Sequence, residues 1–307
     1  MKQITISGLE TIPEIEAGAD LPQIIIDCAE KESLGIDEKD ILVITSKIVS
    51  KAMGLTKKLS DVKPAQKALD LSKKTGKDAK LLQLIFDLGH EIIAMIPLEG
   101  MVKDAIVSSA YDRQACEQLC QKEKVMCIAR DKKGRIYTHD SGIDTSNHPE
   151  GVVSLPPPEP DEVAEAIRED ILAKTSRNIA VIIADTEIIF FGTMDMALGS
   201  SGISPRSKLF GKPDVFGKPK FGGMDLTANE LTSASALVFG QVDSGIPAAI
   251  IRGFDFELNT TENIANTIIP QATDKQVKQT IKSILSATAC ALKPKQQKIL
   301  KAIAWFI

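Results

Sequence analysis

The chain has 307 residues, with 37 basic and 41 acidic side chains and a formal net charge of −4. This acidic balance argues against a general nucleic-acid-binding protein, which usually carries a basic surface. No apolar run is long enough to span a membrane, and the first residues lack the apolar core of a signal peptide. The five cysteines are an odd number in a large chain, so we expect reduced, structural cysteines and a cytoplasmic location.

Helices and strands alternate in the first half of the predicted fold. An amphipathic helix is predicted over residues 20–31, followed by a buried, β-branched strand over 41–45. Two more amphipathic helices are predicted over 64–75 and 78–88, and a hairpin over 124–138. The mixture predicts a mixed α/β (α+β) fold.

The middle of the chain is richer in proline and glycine. A Pro-rich connector is predicted over 152–161, then a helix over 162–174. The apolar run 179–184 predicts a second buried strand that ends just before Asp185. Glycine and proline are frequent over 192–223, which we expect to be mostly loop.

The last part of the chain is predicted to carry an addition. A helix over 228–239 and a short strand over 247–252 come first. Residues 258–307 then combine a polar loop, a helix over 274–292 and a basic, apolar tail. We therefore expect a domain over 1–257 and a helical extension beyond it. Membrane contact by the tail is the less common use of such a segment, and we do not expect it.

Two acidic stretches are candidates for a metal site. One is the polar loop 140–147, and the other is Asp185-Thr186 after the buried strand. Carboxylates at strand ends and in turn loops can converge on a hard divalent cation, which prefers oxygen ligands. The alternative is that Asp, Ser and Asn only close turns on their own backbone.

A segment of hydroxyls and lysines, residues 46–51, follows the strand 41–45. Hydroxyl and backbone N–H groups with lysine charge can bind phosphate. Neither the P-loop pattern nor the dinucleotide-binding G-x-G-x-x-G occurs, so this would be a different kind of phosphate site. Lysines that are merely solvated at a helix start are the alternative.

The segment 239–247 joins the predicted helix 228–239 to the last strand with two glycines and small polar residues. Glycines let a ligand approach the backbone closely. An ordinary helix-to-strand turn would have the same composition, so both interpretations remain open.

Taken in order, these motifs resemble the coenzyme F420-0:γ-glutamyl ligase family. The family's S-K-x-x-S-K-x-E-G is similar to residues 46–54, with Met53 in place of Glu. Its N-A-G-I-D-x-S-N and L-L-P-x-x-P-D are similar to 140–147 and 155–161.

Two later blocks extend the resemblance. A strand that ends in D-T resembles Asp185-Thr186, and M-G-x-x-x-x-G-x-P followed by R-G resembles 239–253, with Phe239 in place of Met. The five ordered blocks cover residues 8–254 approximately.

The resemblance implies an enzyme with two interleaved lobes that pairs as a homodimer. Such ligases join L-glutamate through its amine to a carboxylate of a phosphate-bearing cofactor, F420-0, in a γ-linked amide bond. GTP is hydrolysed to GDP and phosphate through an acyl phosphate, and two divalent cations, Mn²⁺ or Mg²⁺, are needed. K⁺ is a candidate further ion.

The resemblance also implies the site residues. The cations would be held by Asp144, Asp185, Thr186 and Gln241. The catalytic groups would be Lys51, Asp144 and Asp185. Nucleotide contacts would come from Thr11, Ile12, Pro13, Glu14, Ser46, Lys47, Lys51, Asn147, Phe239, Gly240, Gln241, Val242, Asp243, Ser244, Gly245 and Ile246.

The chain departs from the family at several positions. Residues 187–192 lack the two arginines that usually follow D-T, and Asn229 replaces an Asp. Arginine is the usual bidentate partner of phosphate and carboxylate, so its loss implies an altered acceptor, an altered nucleotide or lost activity. Folate polyglutamylation and a non-catalytic, nucleotide-binding paralogue are therefore the alternatives.

Overall fold

The computed structural model describes residues 2–98, 112–189, 192–240, 242–269, 293–295 and 298. The chain groups into one compact unit over Met1–Ile269 and a second over Pro270–Ile307. The predicted helix over 274–292 lies outside the described residues, and the predicted boundary after residue 257 stays a prediction. In the part described, every helix is too short or too polar to cross a membrane.

The fold is mixed α/β, as predicted. In the described residues the strands are β1 (Thr5–Gly8), β2 (Ile41–Thr45), β3 (Thr56–Lys58), β4 (Glu91–Pro97), β5 (Val125–Arg130), β6 (Ile136–Tyr137), β7 (Val152–Ser154), β8 (Ala180–Ile189), β9 (Gly192–Ile203), β10 (Ala248–Arg252) and β11 (Leu258–Asn259). The helices are α1 (Leu21–Lys31), α2 (Ser46–Ala52), α3 (Gln66–Thr75), α4 (Ala79–Asp87), α5 (Arg113–Lys122), α6 (Pro160–Thr175), α7 (Thr227–Phe239) and α8 (Ile264–Thr267).

A six-stranded sheet in the order β1-β10-β2-β8-β9-β11 forms the centre of the fold. The pair β2–β8 is parallel, and the other neighbours are antiparallel. A parallel pair covered on both faces has apolar side chains at successive positions rather than at alternate ones. This is why the continuous apolar runs over 41–45 and 179–184 located both strands.

Helices cover both faces of this sheet. The side chains of β2 alternate, because successive residues of a strand point to opposite faces. Leu42 and Ile44 pack in a cluster with residues of α1, α2 and α6. Ile41 and Val43 pack in another cluster with residues of α7 and α8. The result is a three-layer arrangement with the sheet in the middle.

A second packing centre is formed by the chain between β2 and β8. It contains helices α3 and α4, the three-stranded sheet β4-β5-β6 and the two-stranded sheet β3-β7. Leu82 and Ile85 of α4 pack there with Cys127, Ile143 and Val153. Through Ile143, this packing centre anchors the 140–147 loop.

Three predicted elements were wrong. The strand β8 does not end before Asp185 but continues to Ile189, so Asp185 and Thr186 lie within it. Residues 192–203 are strand β9 rather than loop. Residues 152–154 of the predicted connector are strand β7, which pairs with β3.

Glycine misled the prediction of β9 because there it marks close packing rather than a turn. A Cβ atom on Gly202 would lie 2.7 Å from the Ile179 carbonyl oxygen. A Cβ on Gly199 would overlap the backbone of Pro160, at the start of α6. Helix α6 therefore lies directly on the backbone of β9.

The substitution Gly199→Ala is expected to destabilise the protein by about 2–3 kcal/mol, because the added methyl group must push α6 away from β9. Urea unfolding followed by circular dichroism measures this. Gly192→Ala is the matched control in the same strand, since among the described residues a Cβ there meets nothing within 4 Å. Equal losses for the two variants would contradict the close approach of α6.

Candidate active site

A cleft of about 710 Å³ opens at one edge of the central sheet. Described residues from five segments line it: 12–15; 45–48 and 51; 139 and 142–147; 184–188, 193 and 195; and 239 and 242–247. The parallel register pairs Thr45 with Ala184, so Ser46 and Asp185 follow at the same edge. Ligands of open α/β sheets bind outside the carboxyl ends of such strands.

Asp185 lies at the centre of the cleft wall. Its carboxylate is hydrogen-bonded by the Ser46 hydroxyl and by the backbone N–H of Thr186, the latter at 3.0 Å. Burial, together with the negative charges of Glu187 and Asp144, raises the pKa of Asp185 to about 8. The ionised carboxylate is therefore short of positive charge, which a bound cation would supply.

Asp144 faces Asp185 from the polar loop. Its backbone N–H and C=O pair with Ser154 at 3.0 and 2.9 Å. One carboxylate oxygen accepts hydrogen bonds from the Ser146 N–H and hydroxyl at 2.7 and 2.8 Å. The other oxygen pairs with Lys47 Nζ at 3.0 Å. Asp144 thus closes a turn, as the simpler interpretation predicted, and also presents an oxygen to the cleft.

Two lysines project from α2 into the cleft, four residues apart and hence on the same side of the helix. Lys47 Nζ donates to Ser146 Oγ at 2.8 Å besides pairing with Asp144. Lys51 is 11% exposed and pairs with Glu14, whose side chain is 77% exposed. The lysines are therefore not simply solvated, and each carries a carboxylate partner that a phosphate could replace.

The loop after α7 closes the cleft from another side. Gly240 has φ +72°, and a Cβ there would overlap the Ser244 hydroxyl. Asn147 Nδ2 donates to the Val242 carbonyl at 3.2 Å and so joins this loop to the polar loop. The predicted ligand Gln241 lies outside the described residues.

Most of the predicted site residues are brought together here. The cleft is lined by Ile12, Pro13, Glu14, Ser46, Lys47, Lys51, Asp144, Asn147, Asp185, Thr186, Phe239, Val242, Asp243, Ser244, Gly245 and Ile246. Thr11 instead gives its N–H and hydroxyl to Glu32, both at 2.8 Å. Its predicted nucleotide contact stays a prediction.

Two acidic residues of the cleft were missed in the sequence. Glu187 accepts the Thr138 N–H at 2.6 Å and also the Thr138 hydroxyl, and burial raises its pKa. Asp195 on β9 accepts the Thr186 hydroxyl at 2.7 Å. The signal for Glu187 was its spacing of two from Asp185, which places both on one face of a strand.

Asp144 and Asp185 both line the cleft and offer carboxylate oxygens, the kind of donor that a hard divalent cation prefers. Among the described residues, Glu123, His139 and Asp140 form a group whose ligand atoms all lie within 4.8 Å of one another. The Asp140 carboxylate already accepts from Lys77 and from the Cys127 N–H, so it is less suited to a cation.

Divalent cation affinity is expected to rise with pH through about 8, because a proton competes with the cation for Asp185. Calorimetric titration with Mn²⁺ should give a dissociation constant at least about tenfold lower at pH 8.5 than at pH 6.5. Asp185→Asn should bind more weakly and with little dependence on pH. A wild-type affinity that is flat over this range would contradict the assignment.

The chain resembles known proteins over most of its length. The family model described as F420-0:Gamma-glutamyl ligase matches residues 10–253. The coenzyme F420:L-glutamate ligase of Methanothermobacter thermautotrophicus is 34% identical over 253 residues, 82% of this chain and 89% of that protein. The enzyme of that name from Methanocaldococcus jannaschii is 33% identical over 71% of this chain and 77% of its own length. The one from Archaeoglobus fulgidus is 27% identical over 82% of this chain and 89% of its own length. The chain belongs to the F420-0:γ-glutamyl ligase family.

Proposed function

We propose that the chain is a GTP- and metal-dependent ligase that adds L-glutamate, in a γ-linked amide bond, to a carboxylate of an F420-0-like acceptor. One observation carries this proposal. Asp144, Asp185, Lys47 and Lys51, which come from distant parts of the sequence, line one cleft. They match the family's motifs residue by residue, and the curated relatives that the chain resembles are named as F420:L-glutamate ligases.

The lysines would receive the nucleotide phosphates. Lys47 is held by Asp144 and Lys51 by Glu14, at short distances that a phosphate oxygen can also satisfy. On GTP binding, the lysines would exchange their carboxylates for phosphate oxygens. Asp144 would thereby be released at the same time for a cation, so the binding of nucleotide and of metal is coupled.

The cation ligands in this proposal are Asp144, Asp185, Thr186 and Gln241. The raised pKa of Asp185 supports this, because its carboxylate is poorly stabilised without a cation. Bound Mn²⁺ or Mg²⁺ would neutralise the charge of the transferring phosphoryl group. The lysines act as fixed positive charges rather than as bases.

The reaction takes place in two displacements. A carboxylate oxygen of the acceptor forms a bond to the γ-phosphorus while the bond to GDP breaks, which gives an acyl phosphate. The amine of glutamate then attacks the acyl carbon, and phosphate leaves. The ammonium group loses two protons, one to the phosphate and one to solvent. In both steps Lys47, Lys51 and Asn147 orient the phosphates.

We assign the acceptor to the part of the cleft around Glu187, Ile188 and Thr193. These residues line the cleft, and family members carry arginine in this segment. An anionic group of the acceptor would therefore find less positive charge here than in the relatives. Folate is the alternative acceptor. Separately, we expect the protein to assemble as a homodimer.

The test measures GDP release with Mn²⁺ and L-glutamate in the presence of F420-0 or of folate. Parallel reactions contain ATP in place of GTP, and there ADP release is measured. Hydrolysis that needs both glutamate and F420-0 would support the proposal. Preference for folate would reassign the acceptor. Tight GTP binding with no hydrolysis under any combination would contradict a ligase and favour the non-catalytic paralogue. Light scattering of the same sample measures the assembly.

A further inference from the structure

A buried ion pair lies beneath the cleft and takes no part in the chemistry described above. Lys77 Nζ contacts Asp140 Oδ2, and the two side chains are only 3% and 2% exposed. Lys77 follows the end of α3, and Asp140 begins the polar loop, 63 residues later. A buried ion pair gives little net stability over an apolar pair. We therefore ask how this ion pair fixes the backbone of the polar loop.

Asp140 is held from more than one side. Its Oδ1 accepts the backbone N–H of Cys127, on β5, at 3.0 Å. Burial and the Asp140 charge raise the pKa of the Cys127 thiol to about 12, so the thiol remains protonated and can donate to the same carboxylate. The carboxylate is thus fixed between α3 and β5.

The backbone that Asp140 anchors is strained. Asp140, Ser141 and Gly142 have φ angles of +42°, +65° and +72°. The left-handed region is unfavourable for residues with a Cβ, so the first two need support from outside the turn. Ser141 receives it from His90 Nδ1, at 2.5 Å from its hydroxyl oxygen. Asp140 receives it from Lys77.

The turn aims the functional part of the loop. The next residue, Ile143, is 1% exposed and packs in the second packing centre. Asp144 follows directly, with its backbone paired to Ser154 and its carboxylate in the cleft. The direction in which the chain leaves Gly142 therefore decides where Asp144 and Asn147 lie.

We propose that Lys77 and Asp140 are positioning residues. Their buried ion pair holds the strained turn that aims Asp144 and Asn147 into the cleft. The consequence for metal and nucleotide binding rests on the proposed function, whereas the ordering of the loop does not.

The test uses Lys77→Met, Asp140→Asn and the double variant. Each single variant leaves one buried charged group without its partner and should lower the melting temperature. The double variant removes both charges, and the amide oxygen that Asp140→Asn introduces can still accept the Cys127 N–H. It should recover most of the melting temperature. Its loop should remain loose, because the bond from Lys77 to the turn is gone.

Hydrogen exchange of the intact protein supplies the decisive readout. In the double variant the amides of Asp144 and Ser154 should exchange at least about tenfold faster than in the wild type, with those of β8 and β10 unchanged. Affinity for Mn²⁺ with GTP should fall at least about tenfold. Lys174→Met removes a lysine paired with Asp20 and Asp170 on the surface and should change neither quantity.

Wild-type exchange in the loop of the double variant would overturn the proposal, because the pair would then serve stability alone. Hydrogen exchange needs no ligand. If the wild-type protein fails to bind Mn²⁺ and GTP, the proposed function is contradicted, while the positioning role is still decided by the exchange rates.

Discussion

Replacing Asp185 with Asn is expected to lower glutamate-dependent GDP release by about a hundredfold to a thousandfold and, at the same time, to stabilise the metal-free protein at pH 8.5. The loss of activity follows because Asn cannot balance the charge of a divalent cation. The gain in stability follows because burial and neighbouring carboxylates disfavour the ionised Asp185. Residues that serve function at a cost in stability behave in this way.

The sign of the stability change depends on pH. The folded-state pKa of Asp185 is raised from 3.8 to about 8. Protonated Asp185 therefore makes its full contribution to the free energy of unfolding below pH 4. That contribution is lost as the pH rises through about 8. Since Asn does not ionise, the variant should exceed the wild type by about 2 kcal/mol or more at pH 8.5, and the difference should vanish near pH 4.

Thermal unfolding in EDTA across this pH range measures the difference. Asp170→Asn, at a partly exposed position of α6, is the control and should change stability by less than about 0.5 kcal/mol. A variant of Asp185 that is less stable than the wild type at pH 8.5, or that retains full activity, would show that Asp185 is structural.

Replacing Lys51 with Met should reduce kcat/KM for GTP by at least about a hundredfold, because it removes a fixed positive charge from the phosphate end of the cleft. Glu14→Gln is the matched control. It removes the partner of Lys51 and leaves the cation in place, so kcat/KM should stay the same or rise. Steady-state kinetics with varied GTP measure both. Equal losses would mean that the ion pair itself, rather than the lysine charge, is what the cleft requires.

The sequence predicted best those elements whose environment leaves a local pattern. Strands β2 and β8 were found because both faces of the parallel pair are buried, which leaves an unbroken apolar run. The segments around Lys47 and Asp144 were found because hydroxyls, lysines and carboxylates stand directly after strands or in turns. The parallel register of β2 and β8 brings the Lys47 segment beside Asp185, and the Lys47–Asp144 ion pair joins the polar loop to the same cleft.

What the sequence concealed depends on residues far apart in the chain. Strand β9 was taken for a loop because it is rich in glycine. Gly199 is needed for the close approach of helix α6, a contact that only the folded structure shows. Glu187 was noted only as part of a segment that lacks the family's arginines, and not as a further carboxylate close to Asp185. The ion pair of Lys77 and Asp140 joins residues whose separation gives no periodic signal.

The most direct test of the central claim counts products. The wild-type protein is incubated with GTP, Mn²⁺, L-glutamate and F420-0, and GDP and the glutamylated cofactor are quantified together by mass spectrometry. A ligase working through this cleft should form one GDP for each γ-linked amide bond, and neither product should form when glutamate is omitted or when Asp144 is replaced by Asn. GDP formed without any amide product, or amide formation that persists in Asp144→Asn, would contradict the account.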